Sequence, residues 1–451
     1  MVVRDKSKIS DSLKEEIEKS RTLKREFCVF DGLTWMIGRR RFCLQRPWDW
    51  FCKIIDGKTS DYRLRKMFEQ KTQSFISRRE FYKVIKRFKT LGLLFKYRGY
   101  WVSRFNKKYR KKQEQAFIEA KIRPAVYAGY MYPHRREILK QQLRICFDVA
   151  DQQLDSLVIR RKKILKGVIV PHSNLVYSGL CAASAYKTIS ISGKYRLFVL
   201  FAPDHSFSIS EPFSVLAKDF ITPLGIVHVD RELIDVLSRE SGFNIYSKPL
   251  SHYTEHAIEI QLPFIQYIHK YHCDGFKILP ILCCSNSDNS SVRYKELQEN
   301  FLHSLHKNIE RAKQNSIIIA TGDLCHANTK CSALHFHQLN SRIIGLLKSA
   351  DPDCFEKEVK KERYSMCGYA SFYPFLKFLK GNQGNLLNYS WTSKTSVFDE
   401  INKGIREYKR YIDKIMYDKT IANQLVRKRI IDDNMTINIG YLSMAFFSNC
   451  S

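Results

Sequence analysis

Residues 167–172 read Gly-Val-Ile-Val-Pro-His. A short apolar run rich in β-branched residues, stopped by proline, is the signature of a buried strand. Here a histidine stands just past its end. The pattern recurs: Tyr195–Phe201 leads through Ala-Pro to Asp204 and His205, and Ser316–Thr321 leads through Gly322 to Asp323, with His326 three residues on. Phe276–Cys284 is a fourth such run. Between them apolar residues fall at helical spacing near Leu175–Ile189, Glu255–Tyr271, Asn300–Lys313, Leu334–Ser349, Pro352–Arg363 and Tyr369–Leu379. Strand–helix alternation predicts an α/β domain from about Arg123 onward. Asn438–Ser448 reads as a late strand closing the sheet, and the charged, helix-patterned residues 400–434 read as an insertion.

In an open α/β sheet, ligands bind in the crevice beyond the carboxyl ends of the strands. Three strands that each deliver His or Asp just past that end would converge on one spot. Any one of these histidines also reads as hydrogen-bonding punctuation of a loop start. Together, His172, His205 and the pair Asp323 and His326 predict a shared site suited to a redox or Lewis-acid metal. Cys367, in Tyr-Ser-Met-Cys-Gly-Tyr before a helix, reads either as a soft ligand or nucleophile or as a buried inert thiol. In Glu255-His256-Ala257-Ile258-Glu259, His256 or Glu255 either faces the crevice as a supporting or acid–base group or belongs to a helix start with solvated acids. The sequence has no G-x-S-x-G elbow, P-loop or G-x-G-x-x-G, so serine hydrolase, ATP and dinucleotide readings lack support.

The chain has 451 residues with 76 Lys and Arg against 45 Asp and Glu, a net charge of +31. Residues 1–150 carry +22 of that excess, so any affinity for nucleic acid or an anionic surface belongs first to this part. There, Arg46-Pro47-Trp48-Asp49-Trp50-Phe51 opens a helix, Ser60–Glu69 is a second and Ser77–Thr90 a third. Leu91–Val102 reads as strand–turn–strand. Helices followed by a basic hairpin give a winged-helix outline. Arg78, Arg79, Lys83, Lys86, Arg87 and Lys89 crowd the third helix, as a recognition helix on nucleic acid or as a solvated face. The predicted organisation is a charged segment over 1–26, a winged-helix α+β module over 27–105, a basic linker over 106–122 and the α/β domain over 123–451. Thirteen cysteines without a CxxC pair fit a reducing cytoplasm. No apolar run approaches a membrane span, and the first residues have no signal-peptide core.

The motifs of 123–447 together resemble the Memo family, protein B of the AmmeMemoRadiSam system. They are Ala128-Gly129-Tyr130-Met131-Tyr132-Pro133, PHSNLVYSGLCAASAY at 171–186, APDH at 202–205, TPLG at 222–225, EHAIEIQLPF at 255–264, KILPILC at 277–283, TGDLCH at 321–326, Cys367-Gly368 and Gly440-Tyr441-Leu442-Ser443. The N-terminal module resembles a PqqD-like unit. The Memo resemblance implies a fold like that of class III extradiol dioxygenases and a non-haem iron(II) site, with copper as the alternative. It implies His172, His205 and Cys367 as metal ligands, His326 as catalytic base, Asp323 in support and His256 as a further pocket residue. It also implies radical-SAM partner proteins. The sequence departs from the family's usual residues at Tyr127, Ser173-Asn174 and Ser206, so the rim of the pocket differs while the ligand positions stay. Three functions follow: an extradiol-type oxidoreductase acting on a small molecule, a non-enzymatic metal- or peptide-binding platform, and nucleic-acid binding by the basic N-terminal module.

Overall fold

The computed structural model describes residues 14–19, 28–30, 35–37, 40–42, 48–72, 75–90, 93–97, 100–103, 107–129, 131–154, 164–270, 275–285, 291–312, 315–328, 331–362, 364–391 and 437–448. The insertion read at 400–434 lies outside them. The chain divides into two compact units, Met1–Val126 and Tyr127–Ser451.

In the first unit, β1 (Cys28–Phe30), β2 (Trp35–Ile37) and β3 (Arg40–Phe42) form an antiparallel sheet. Strands of three residues are too short to show a period-two signal, which is why the sequence leaves them unread. Helices α1 (Trp48–Ile54), α2 (Asp61–Thr72) and α3 (Arg78–Thr90) follow, then the hairpin of β4 (Leu94–Tyr97) and β5 (Tyr100–Ser103), then α4 (Lys107–Glu119). A capping box starts α3: Ser77 Oγ accepts from the Glu80 N–H at 3.2 Å, and Glu80 Oε2 accepts from the Ser77 N–H at 3.0 Å. The core gathers Phe51, Ile55, Leu64, Phe68, Phe81, Ile85 and Phe88. The Phe51 ring lies edge-on to Phe68 at 5.2 Å and to Phe81 at 5.7 Å.

The second unit is built on an eight-stranded mixed sheet. Apart from a short antiparallel pair outside this sheet, Asp219–Thr222 with Gly225–Val227, its elements in chain order are α5 (Arg136–Leu154), β6 (Leu165–Val170), α6 (Leu175–Ser192), β7 (Leu197–Pro203), β8 (Phe213–Val215), α7 (Arg231–Glu240), α8 (Pro249–Thr254), α9 (Leu262–Ile268), β9 (Lys277–Cys283), α10 (Val292–Ala312), β10 (Ser316–Thr321), β11 (His326–Asn328), α11 (Ala333–Ser349), α12 (Pro352–Glu362), α13 (Tyr369–Phe378), β12 (Gln383–Trp391) and β13 (Ile437–Phe447). The sheet order is β11-β13-β6-β10-β7-β9-β8, with β12 also paired to β13. The central strands β6, β10, β7 and β9 are parallel; β8 and β13 run antiparallel to their neighbours. Every residue of β7 is buried. Successive side chains point to opposite faces, so both faces of the sheet are covered, and this is why its strands read as unbroken apolar runs. Gly167 marks one close approach: a Cβ there would sit 2.6 Å from Leu379 Cδ1 and 2.8 Å from Phe375 Cε2.

One helical expectation differs. The stretch 255–271 is not one helix. Glu255 is extended, with φ −89° and ψ 130°, a 3-10 turn spans Glu259–Gln261, and α9 begins with Pro263 in its first turn. Proline suits a helix start and not its interior. Among the described residues no helix is long and apolar enough to cross a membrane.

Candidate metal centre

Strand β10 lies between β6 and β7, so the three strand ends singled out by sequence are immediate neighbours. His172, Asp323 and His205 therefore leave the sheet side by side. The His172 N–H donates to Asp323 Oδ1 at 3.0 Å, which ties the first loop to the third. Asp204 holds the second loop: its carboxylate accepts from the N–H groups of Ser206, Ser208 and Ile209 at 2.8–3.0 Å. It orders the turn that presents His205 and takes no place in the cluster.

Cys367 arrives by another route. Met366, in the segment before α13, forms an antiparallel bridge with Cys325, and the His326 N–H donates to Ser365 O at 2.7 Å. The Gly368 N–H donates to Asp323 O at 3.2 Å. Two glycines make this approach sterically allowed, because a Cβ on Gly322 would stand 2.4 Å from Gly368 Cα. Cys367 Sγ then lies 3.2 Å from His172 Nε2, 3.7 Å from His326 Nε2 and 3.4 Å from the Asp323 amide nitrogen.

Three groups of side chains put their donor atoms within 4.8 Å of one another: His172, His205 and Cys367; His205, Glu255 and His256; and Asp323, His326 and Cys367. The rings orient by hydrogen bonds on their far nitrogens. His205 Nδ1 faces both oxygens of Glu255 at 3.0 Å, and the same carboxylate accepts from the His205 N–H at 2.9 Å. His172 Nδ1 is 3.3 Å from Thr321 Oγ1, which accepts from Gln261 Nε2 at 2.8 Å; the Tyr186 hydroxyl donates to Gln261 Oε1 at 3.0 Å. A carboxylate or hydroxyl behind an imidazole fixes the ring and leaves the other nitrogen for a ligand. His256 stacks on His205 at 4.8 Å and meets His172 edge-on at 5.2 Å.

Burial dominates the electrostatics. It lowers His172 well below the ordinary imidazole range, with His205 and His256 adding to the effect. Burial would also lower His205, but the Glu255 carboxylate and the Cys367 sulfur push it well above. Burial opposes ionisation of Glu255, yet His205 and His256 hold it well below the usual carboxylate value. Asp323 is pushed up to about 7 by burial, against the His172 N–H. His326 falls to about 4 through burial and the nearby His205. Burial raises the Cys367 thiol, partly offset by His205.

The donor set fits a metal. Bonds of about 2.0–2.1 Å to nitrogen and about 2.3 Å to sulfur put N and S ligands of one ion roughly 3–4 Å apart. The 3.2 Å between Cys367 Sγ and His172 Nε2 falls in that interval. Two imidazoles and a thiol suit iron, copper or zinc over magnesium or calcium.

The residues named from sequence thus come together: His172, His205, Cys367, His326, Asp323 and His256 share one crevice. The sequence missed Thr321 and Gln261 as supports, and it missed the glycine pair; only the spacing of Gly322 and Gly368 beside Asp323 and Cys367 hinted at it. The departures also have places. Asn174 caps α6, its side chain accepting from the Val176 N–H at 3.0 Å, and Ser173 Oγ accepts from Tyr441 at 3.3 Å. Tyr127 lies edge-on to His256 at 5.5 Å, and its hydroxyl donates to Thr254 O.

The fold and the site define an α/β protein with two histidines past the carboxyl ends of β6 and β7, on either side of β10, joined by a cysteine from the start of α13. The model of the Memo-like protein family matches residues 123–401, more than half of the chain, and the chain belongs to that family. A MEMO1 family protein of Methanosarcina mazei is 33% identical over 270 residues, 59% of this chain and 90% of the relative. Another, from Thermotoga neapolitana, is 30% identical over 256 residues, 55% of this chain and 85% of the relative.

Proposed function

We propose that His172, His205 and Cys367 hold one redox-active metal ion, iron(II) or, as the alternative, copper, and that the crevice performs oxygen chemistry on a small chelating molecule. The observation that carries this reading is the approach of a thiol, from the start of α13, and two imidazoles, from the ends of β6 and β7, with their donor atoms within 4.8 Å of one another. Bound iron(II) would supply a Lewis-acid and redox centre able to take O2 and substrate. Around it, His326 is the proton acceptor: with its pKa lowered to about 4 it is neutral at pH 7. Asp323, near 7, holds or yields a proton close to neutrality and fixes His172 through the backbone. His256, between Tyr127, His172 and His205, lines the side where a substrate would enter. The extradiol-type reading follows from what the Memo resemblance implies, and the two histidines at strand ends are the residues that would carry it.

A thiolate donates more charge than the carboxylate of those dioxygenases. Cys367 therefore favours a second reading, a metal- or peptide-binding platform without turnover. Cys52, Cys146, Cys181, Cys283 and Cys284 are among the cysteines that stand as free thiols, which supports a reducing, cytoplasmic setting. The test is elemental analysis of anaerobically purified protein beside Cys367→Ser. Stoichiometric iron or copper that drops in the variant is expected. Equal metal in both, or none in either after anaerobic reconstitution, overturns the site. O2 uptake with a panel of catechol-type molecules then separates oxidoreductase from platform.

A further inference from the structure

Within the first unit, α3 has a two-sided design. Phe81, Ile85 and Phe88 are buried at i, i+4 and i+7. Arg79, Lys83 and Lys86 repeat that spacing two residues earlier, roughly 200° around the helix, and all three are exposed. Arg78, Arg87 and Lys89, also exposed, flank the stripe. Glu80 is the single acid of the helix, and its oxygen is engaged by Ser77 in the capping box. Among the described residues no ion pair joins any of the six cations to a carboxylate. Like charges at i, i+4 repel, so the helix carries a cost that a polyanion would remove. Residues 1–126 hold 34 Lys and Arg against 14 Asp and Glu.

We infer that the outward face of α3 docks in the major groove of duplex DNA. The helix has 13 residues and is about 20 Å long and about 10–12 Å wide, which matches a groove about 12 Å across. A-form RNA presents a deep, narrow major groove that does not admit it. A single strand would need free aromatic platforms. Two of the described exposed rings are taken: Arg78 lies over Tyr82 at 5.8 Å, Arg65 over Tyr62 at 5.9 Å, and the Tyr82 hydroxyl donates to Asp61 at 3.0 Å. Phe75, exposed just before α3, offers one ring, where a single strand stacks successive bases on several. A membrane surface would need apolar side chains among the cations, and the exposed positions of α3 hold no aliphatic residue. Three helices followed by a hairpin are also the element order of a winged helix. This surface is independent of the metal reading.

The test uses the full chain, a short labelled duplex DNA of mixed sequence and a salt titration. The triple variant Arg79→Gln, Lys83→Gln, Lys86→Gln removes only exposed charge, and circular dichroism and the thermal midpoint check that it folds. Binding at least about tenfold weaker is expected, with a log–log salt slope shallower by about 0.9 per lost phosphate contact. The control triple Lys194→Gln, Lys348→Gln, Lys357→Gln, exposed in the second unit, should bind as the parent does. Parallel arms use the single strand, phosphatidylserine vesicles and polyglutamate. The inference is overturned if the parent does not bind the duplex at low salt, if the α3 variant binds as well as the parent, or if the control loses as much. It is also overturned if any other probe binds more tightly than the duplex.

Discussion

Glu255 concentrates the electrostatics of the crevice in one buried carboxylate, 2% exposed. It accepts from the N–H groups of His205 and Ala257 and lies 3.0 Å from His205 Nδ1 and 3.2 Å from His256 Nδ1. No single contact in that set is strong in water; around a buried carboxylate they act together. Glu255→Gln keeps the shape and removes the charge that orients His205. A metal dissociation constant raised about 10–100-fold is expected, read by chelator competition, with an unchanged circular dichroism spectrum. An unchanged constant would remove Glu255 from the orienting role. Sequence placed Glu255 and His256 beside each other but left open which of them served the crevice. The extended backbone at Glu255 answers that, and a helical reading of 255–271 could not.

The contact between the β10 end and the start of α13 depends on two missing methyl groups. Gly322→Ala would drive a Cβ into Gly368 Cα at 2.4 Å, a backbone atom that cannot rotate away. The expected cost is about 1–3 kcal/mol by denaturant titration, with metal content reduced because Cys367 directly precedes Gly368 and moves with it. Gly345, in α11, is the contrasting case: a Cβ there meets nothing within 4 Å. Gly345→Ala should instead stabilise by about 0.5–1 kcal/mol, the helix-propensity gain of alanine. Equal effects at the two glycines would show that steric approach does not govern either.

Net charge belongs to the molecule entire, and so would the stabilising effect of a bound ion. Of its +31, the first 150 residues carry +22, so the proposed polyanion surface and the proposed metal site belong to different parts of the chain. A metal that binds the folded state and not the unfolded one stabilises by mass action, about 2.7 kcal/mol at a free concentration 100 times its dissociation constant. Reconstitution with iron(II) is therefore expected to raise the thermal midpoint, and chelation to reverse the rise. Cys367→Ser should show neither shift. A variant that shifts as the parent does would place the ion elsewhere.

Local pattern alone established the α/β alternation, the four central strands and the residues waiting at their ends. It did so because a strand buried on both faces must be apolar throughout, and polar residues just past it stand out. Charge pattern likewise marked α3. What local pattern cannot encode is which strands become neighbours, because burial period reports a residue's own surroundings and not its partner. The insertion of β10 between β6 and β7, which turns three separate loops into one crevice, is a fact of tertiary topology. So is the arrival of Cys367, 44 residues from Asp323, across a gap only two glycines allow. Strand β12 went unread for a related reason: only Gly384 is buried in it, so no apolar run announces it. Its place beside β13 comes from the ladder of backbone hydrogen bonds, which any sequence can make once the partner strand is there.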